Sequence, residues 1–194
     1  MCENCSQNLT IKQKDNQKDV CLHLLEQIQS DRNFLKHVIT GDETDFEYDP
    51  ETKIQSKEWH TSASPRLKKA RMSKSKIKSL LICFFDSQGI VHTEFVHQGQ
   101  IVNQFYYREI LERLRKRVVR VRPSIANNWM LHHDNAPCHM VISVIEFLAK
   151  KGIPVVPQPL YSPDLSPCDF LLFPKLKFYL KGLYFRMGET LKKL

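Results

Sequence analysis

WMLHHDNAPCH at residues 129–139, followed after a basic turn by IPVVPQPLYSPDLSPCDFLLFPKLK at residues 153–177, decides how this chain is read. Trp129, Met130 and Leu131 form a short apolar run that ends at Asp134. Further on, Ser166 and Pro167 are a helix start, N-cap and first position, which puts Asp169 in the first turn. Two carboxylates at the ends of separate elements are candidate ligands for a hard divalent cation. A pair of such ions needs several oxygen donors converging from different parts of the fold, so a third carboxylate is expected earlier in the chain. Asp42 is the candidate: Val38, Ile39 and Thr40 have strand propensity and lead directly into Gly41 and Asp42. Taken singly, each aspartate also has a plain reading. Asp42 is then a turn residue beside Gly41, Asp134 an Asx-turn before Asn135-Ala136-Pro137, and Asp169 a charge favoured by the helix dipole.

Working outward from these residues gives an α/β pattern. The polar residues 1–19 carry no period. Cys21, Leu24, Leu25 and Ile28 recur at helical spacing and predict a short amphipathic helix ending near Asp31. After the Val38 strand, Ile77–Phe85 and Ile90–Val96 read as a hairpin around a four-residue turn, Asp86–Gly89. Tyr107, Ile110, Leu111, Leu114, Val118 and Val121 form one stripe of a helix over 103–121, stopped by Pro123. Trp129–His132 is a buried strand. Pro137 opens a helix carrying Val141, Ile145 and Leu148, Gly152 caps it, and Ile153–Val156 is the last strand. The order β-β-β-α-β-α-β-α predicts a mixed sheet, with three antiparallel strands first and parallel strands joined by helices after them.

The chain has 194 residues and a net charge of +8. No apolar run is long enough to span a membrane and no signal peptide is visible at the start, so an intracellular protein with six free cysteines is expected. Cys2 and Cys5 have zinc-knuckle spacing without a second half nearby. The charge is local. Residues 53–78 hold nine Lys or Arg against Glu58 alone, and residues 108–122 hold seven against Glu109 and Glu112. Basic patches around a carboxylate centre suit a polyanion held beside a cation site; the plain reading is solvated loops and helix faces.

The strings ITGDET, YDPETK, LHHDNAPCH, FLAKKGIPVVPQP and YSPDLSPCDFLLFPKLK, with 34 residues between Asp134 and Asp169, resemble the catalytic domain of the mariner family of DNA transposases over about residues 8–182. The resemblance implies an RNase H-like fold over 34–194, preceded by a linker remnant and short helix at 1–33. It also implies a metal triad of Asp42, Asp134 and Asp169 holding two Mg²⁺ or Mn²⁺ ions, and DNA cleavage and strand transfer by a nuclear homodimer. The basic loop at about 51–76 would be a DNA clamp, with Arg66, Lys68, Lys69, Arg71, Lys74 and Lys76 on phosphates, joined by Arg115 and Arg117. Around the centre, His132, His133 and His139 orient Asp134, contact DNA, or are packed or surface side chains. The alternative expectation is an impaired relic that only binds DNA.

The sequence departs from the family pattern in three places. It starts after the family's two helix-turn-helix modules, and it stops at Leu194 where the family continues with helical sequence. After GDET it is one residue short, with Asp45-Phe46-Glu47-Tyr48 replacing an aromatic-rich stretch. A one-residue loss switches side chains to the opposite face of a strand. The expectation is a strained or shortened first strand with Asp45 turned towards the core.

Overall fold

The structure, a computed structural model, describes residues 9–47, 78–97 and 99–180. Its strands are β1 (Val38–Glu47), β2 (Lys78–Asp86), β3 (Gly89–Val96), β4 (Met130–His132) and β5 (Val155–Val156). They form one sheet in the order β3-β2-β1-β4-β5. β1 to β3 pair antiparallel, while β1, β4 and β5 run parallel. The helices are α1 (Ile11–Ser30), α2 (Gln104–Val121), α3 (Ile142–Lys150) and α4 (Phe173–Leu180). From β1 onward this is the predicted order. None of the described helices is long and apolar enough to cross a membrane.

Alternation along the strands divides the core between the two faces of the sheet. Ile39, Ile82, Phe84 and Leu131 pack with Tyr107, Ile110, Leu111, Leu114 and Val118 of α2 and with Val144 and Leu148 of α3. The apolar stripe of α2 is the one the sequence predicts, and the Asn103 side chain caps it by accepting from the amides of Phe105 and Tyr106. On the other face Leu81 and Cys83 meet Cys168 and Phe173 in a smaller cluster. Cys168–Leu172 form one wide π-helical turn, in which the Phe173 amide donates to the Cys168 carbonyl, before α4 begins.

Gly41 lies opposite Phe84 in the β1–β2 ladder. A Cβ built there would stand 2.1 Å from the Phe84 ring, so the ring can lie on the strand only because that position carries no side chain.

Several boundaries differ from expectation. α1 begins at Ile11, well inside the stretch read as aperiodic, because Thr10 and Gln13 form a reciprocal capping box. Hydrophobic period marked only its second half, from Cys21 to Ile28, and none of its residues is buried. The hairpin turn is two residues, Ser87-Gln88; Asp86 accepts from the Gln88 amide at 2.8 Å and Gly89 takes φ +124°. α3 starts at Ile142 and not at Pro137, since the Asp134 carboxylate accepts from the Ala136 amide and holds the chain in a turn. Val144 and Leu148 are its buried positions, whereas Ile145 is exposed. β1 is neither shortened nor out of register: its ladder with β2 runs unbroken from Thr40–Phe85 to Glu47–Lys78, and Asp45 is exposed.

Candidate active site

Two parallel neighbours set the level of the first two carboxylates. β1 and β4 pair Val38 with Met130, Ile39 with Leu131 and Thr40 with His132. Carried two residues further, that register brings Asp42 level with Asp134. Asp42 alternates with Gly41 and so points to the face that holds Cys83 and Cys168. There the π-helical turn presents Asp169, whose amide donates to the Ser166 carbonyl at 3.0 Å and lies 3.4 Å from the Ser166 hydroxyl.

The three aspartates sense one another. Burial raises the Asp42 carboxyl to about 7; the Glu43 amide, donating at 2.7 Å, opposes this, and the charges of Asp169, Asp134 and Glu43 add to it. Asp169 is raised by burial, with the Ser166 hydroxyl opposing and Asp134 adding to it. Asp134 is lowered, first by its hydrogen bond to His139, and burial does not overcome this. The donor chemistry, three carboxylates from three elements, fits a hard divalent cation. Their spacing is wider than a chelate: among the described residues no three His, Cys, Asp or Glu side chains are close enough to hold a metal ion.

Sequence reasoning set His139 among three histidines that could orient Asp134, but missed its second partner, Glu43. His139 is 1% exposed. Its Nδ1 is 2.8 Å from Asp134 Oδ1 and its Nε2 3.3 Å from Glu43 Oε1. Burial disfavours charge on this ring, yet the two carboxylates outweigh it and push the imidazole up to about 10. A buried imidazolium therefore ties the residue after Asp42 to Asp134. Oδ1 of Asp134 also accepts from the Ala136 amide at 3.0 Å. Both of these bonds fall on that one oxygen, which leaves Oδ2 turned to other uses.

Tyr107 supports this clamp. Its ring stacks on His139 at 3.9 Å between centroids, and His133 stacks on His139 at 5.0 Å. The Tyr107 hydroxyl is 2.8 Å from His133 Nδ1. Burial, then the neighbouring His139 charge, drives His133 down to about 3, so it packs as a neutral ring. His132 is also buried, 3.1 Å from the Thr40 hydroxyl. All three histidines are thus packed side chains, and His139 is the one that orients Asp134. The sequence signal was available only in pieces: Glu next to the first aspartate and His five residues after the second.

Arg115 and Arg117 part company. Arg115 is committed to Glu112 at 2.8 Å, whereas Arg117 donates to the Val91 carbonyl at 3.2 Å beside other basic side chains. Arg66, Lys68, Lys69, Arg71, Lys74 and Lys76 lie outside the described residues.

The family description "Transposase (partial DDE domain)" matches residues 49–127, a span that contains none of the three aspartates. The mariner Mos1 transposase of Drosophila mauritiana is 30% identical over 189 residues, 95% of this chain and 54% of that protein. Over most of its length the chain is similar to a mariner-family catalytic domain. It spans about half the length of that relative. A Mos1 paired-end complex with the left transposon end superposes with TM-score 0.83 at 30% identity, covering 97% of this chain and 55% of that one. The Mos1 catalytic domain bound to raltegravir with Mn superposes at 0.76 and 26% identity, covering 96% and 81%. The mixed sheet flanked by helices is the RNase H-like fold of that mariner domain.

Proposed function

We propose that this domain performs metal-dependent cleavage and strand transfer of DNA in cut-and-paste transposition, with Asp42, Asp134 and Asp169 as the ligand set. The observation that carries the reading is the meeting of three carboxylates from β1, the end of β4 and the turn before α4, close enough to shift one another's protonation. The relative crystallised with Mn and the one crystallised with a transposon end support the metal and the substrate class. Two Mg²⁺ or Mn²⁺ ions held there would lower the pKa of an attacking water or 3′-hydroxyl and offset charge on the leaving oxygen.

The chain's own residues do the positioning. His139 and the Ala136 amide fix Asp134 through Oδ1, so Oδ2 is the oxygen it offers to a cation. Strand register and burial set Asp42, and the π-helical turn sets Asp169. The basic residues at 66–76 and Arg117 supply phosphate contacts that carry no sequence information. Assembly as a homodimer in the nucleus belongs to the same proposal.

A second reading, an impaired relic that binds DNA without cutting it, is favoured by the open spacing of the carboxylates among the described residues. Plasmid nicking separates the two. The purified protein with Mn²⁺ is expected to nick supercoiled DNA and Asp134→Asn to lose that activity. Equal nicking by both proteins would end the metal-triad assignment, and salt-sensitive binding with no nicking by either would establish the relic.

A further inference from the structure

A cleft of about 650 Å³ opens between α2 and β3, well away from the carboxylates. Arg113, Lys116, Arg117 and Arg120 line it from the helix, His92 and Thr93 from the strand, and no carboxylate side chain lines it. The four basic residues are spaced i, i+3, i+4 and i+7, which places them on one face of α2. Lys116 and Arg120 are exposed. Arg113 is held by Glu94 at 2.8 Å and Arg117 by the Val91 carbonyl. Among the described residues Lys116, Arg117 and Arg120 form no ion pair, whereas Arg115 pairs with Glu112 and, just past the helix, Arg122 with Asp86. Cationic capacity is therefore left over in the cleft.

Location separates this surface from both other DNA-contacting regions. β3 is the edge of the described sheet, two strands away from β1. Asp42 points to the face that carries Cys168, while α2 covers the opposite face. The cleft lies beside the Ser87-Gln88 turn, whereas the basic segment 48–77 joins β1 and β2 at the other end of the hairpin, after Glu47 and before Lys78. Six residues of strand, from Lys78 to Phe84 opposite His92, put the point where that segment joins β2 about 20 Å from the cleft.

We infer that this cleft binds the phosphate backbone of a second stretch of duplex DNA, distinct from the stretch whose phosphodiester lies at the aspartates. The i to i+7 stripe is about 10 Å long, comparable with three phosphate positions of one strand at roughly 3.4 Å along the helix axis. An open, one-signed row of flexible cations suits a repeating polyanion better than a small anion, which would need enclosure. The choice of DNA among polyanions rests on the transposase reading; the charge geometry does not.

Anisotropy of a labelled mixed-sequence duplex, titrated with the full chain at several salt concentrations in EDTA, tests this. The double variant Lys116→Gln/Arg120→Gln is expected to lower the slope of log affinity against log salt by about two and to weaken low-salt binding roughly tenfold. Lys36→Gln/Lys150→Gln removes the same charge from exposed positions elsewhere and should leave the slope unchanged. An unaltered slope in the cleft variant, with unchanged circular dichroism and melting, would overturn the inference. An equal loss in both double variants would also overturn it, since net charge and not the cleft would then be responsible. Nicking reports separately: loss of slope without any nicking leaves the cleft standing while the cleavage reading falls, and nicking with an unaltered slope does the reverse.

Discussion

Asp42 on β1 and Asp134, two residues past the end of β4, are held by opposite means. Asp134 is half-exposed and gripped from outside by an imidazolium and a backbone amide, and its carboxyl is lowered. Asp42 is set by strand register and burial, with one local hydrogen bond to the next amide, and its carboxyl is raised to about 7. One carboxylate is fixed by polar contacts that tolerate solvent, the other by packing that excludes it. Different substitutions should therefore displace each.

The largest effect is expected at the grip. His139→Ala leaves Asp134 and Glu43 without their shared cation and opens a hole under Tyr107; breaking such a buried pair costs about 3–5 kcal/mol, read as a lower denaturant midpoint. Nicking should fall by roughly 10- to 100-fold, as when an outer-shell partner of a metal ligand is lost. Wild-type stability and activity in this variant would show that Asp134 needs no grip. On the packed side, Gly41→Ala drives a methyl into the Phe84 ring and should cost about 3 kcal/mol by overpacking. A neutral result in thermal melting would mean that β1 is held less tightly than its ladder indicates.

Protonation offers a third comparison. Because the folded Asp42 carboxyl is raised above its ordinary value of 3.8, the folded state keeps a proton that the unfolded chain has released between about 3.8 and 7. Metal-free protein should lose stability as pH rises through that window. Asp42→Asn should be more stable than the unmodified chain above about pH 7, by on the order of 4 kcal/mol, and equally stable below about pH 3.8. Asp134 has the opposite sign: its lowered carboxyl contributes stability that is lost as pH falls below its ordinary range. Identical pH dependence of Asp42→Asn and Asp134→Asn in chemical denaturation would erase the contrast. The smallest effect is at Tyr107→Phe, which removes the hydroxyl from His133 and should cost about 1 kcal/mol with nicking retained.

Much of this was legible in the sequence for identifiable reasons. The β-β-β-α-β-α-β-α order and the α2 stripe follow from hydrophobic period, because these elements bury a face. α1 buries nothing: its apolar spacing marked only the half from Cys21 to Ile28, and its start at the Thr10–Gln13 capping box was not read. The delayed start of α3 depended on a side chain accepting from the backbone, which competes with helix formation locally and leaves no period. The three aspartates were nameable, and His139 was one of three histidines set against Asp134, but its bridge to Glu43 was not legible: the two are 96 residues apart and meet only once β1 and β4 are in register. The expected disturbance after Asp42 failed because the β1–β2 ladder stays continuous to Glu47.

The wide turn at Cys168–Leu172 acts as a phase shifter. In an uninterrupted α-helix, residues five apart point about 140° away from each other, so Cys168 and Phe173 could not both face the sheet. With one extra residue in the turn both are buried in the same cluster. The facing of α4 is thereby uncoupled from the facing of Asp169. Deleting a single residue between Asp169 and Phe173 would restore a regular helix and force a choice, either the apolar side of α4 on the sheet or the third carboxylate at the centre.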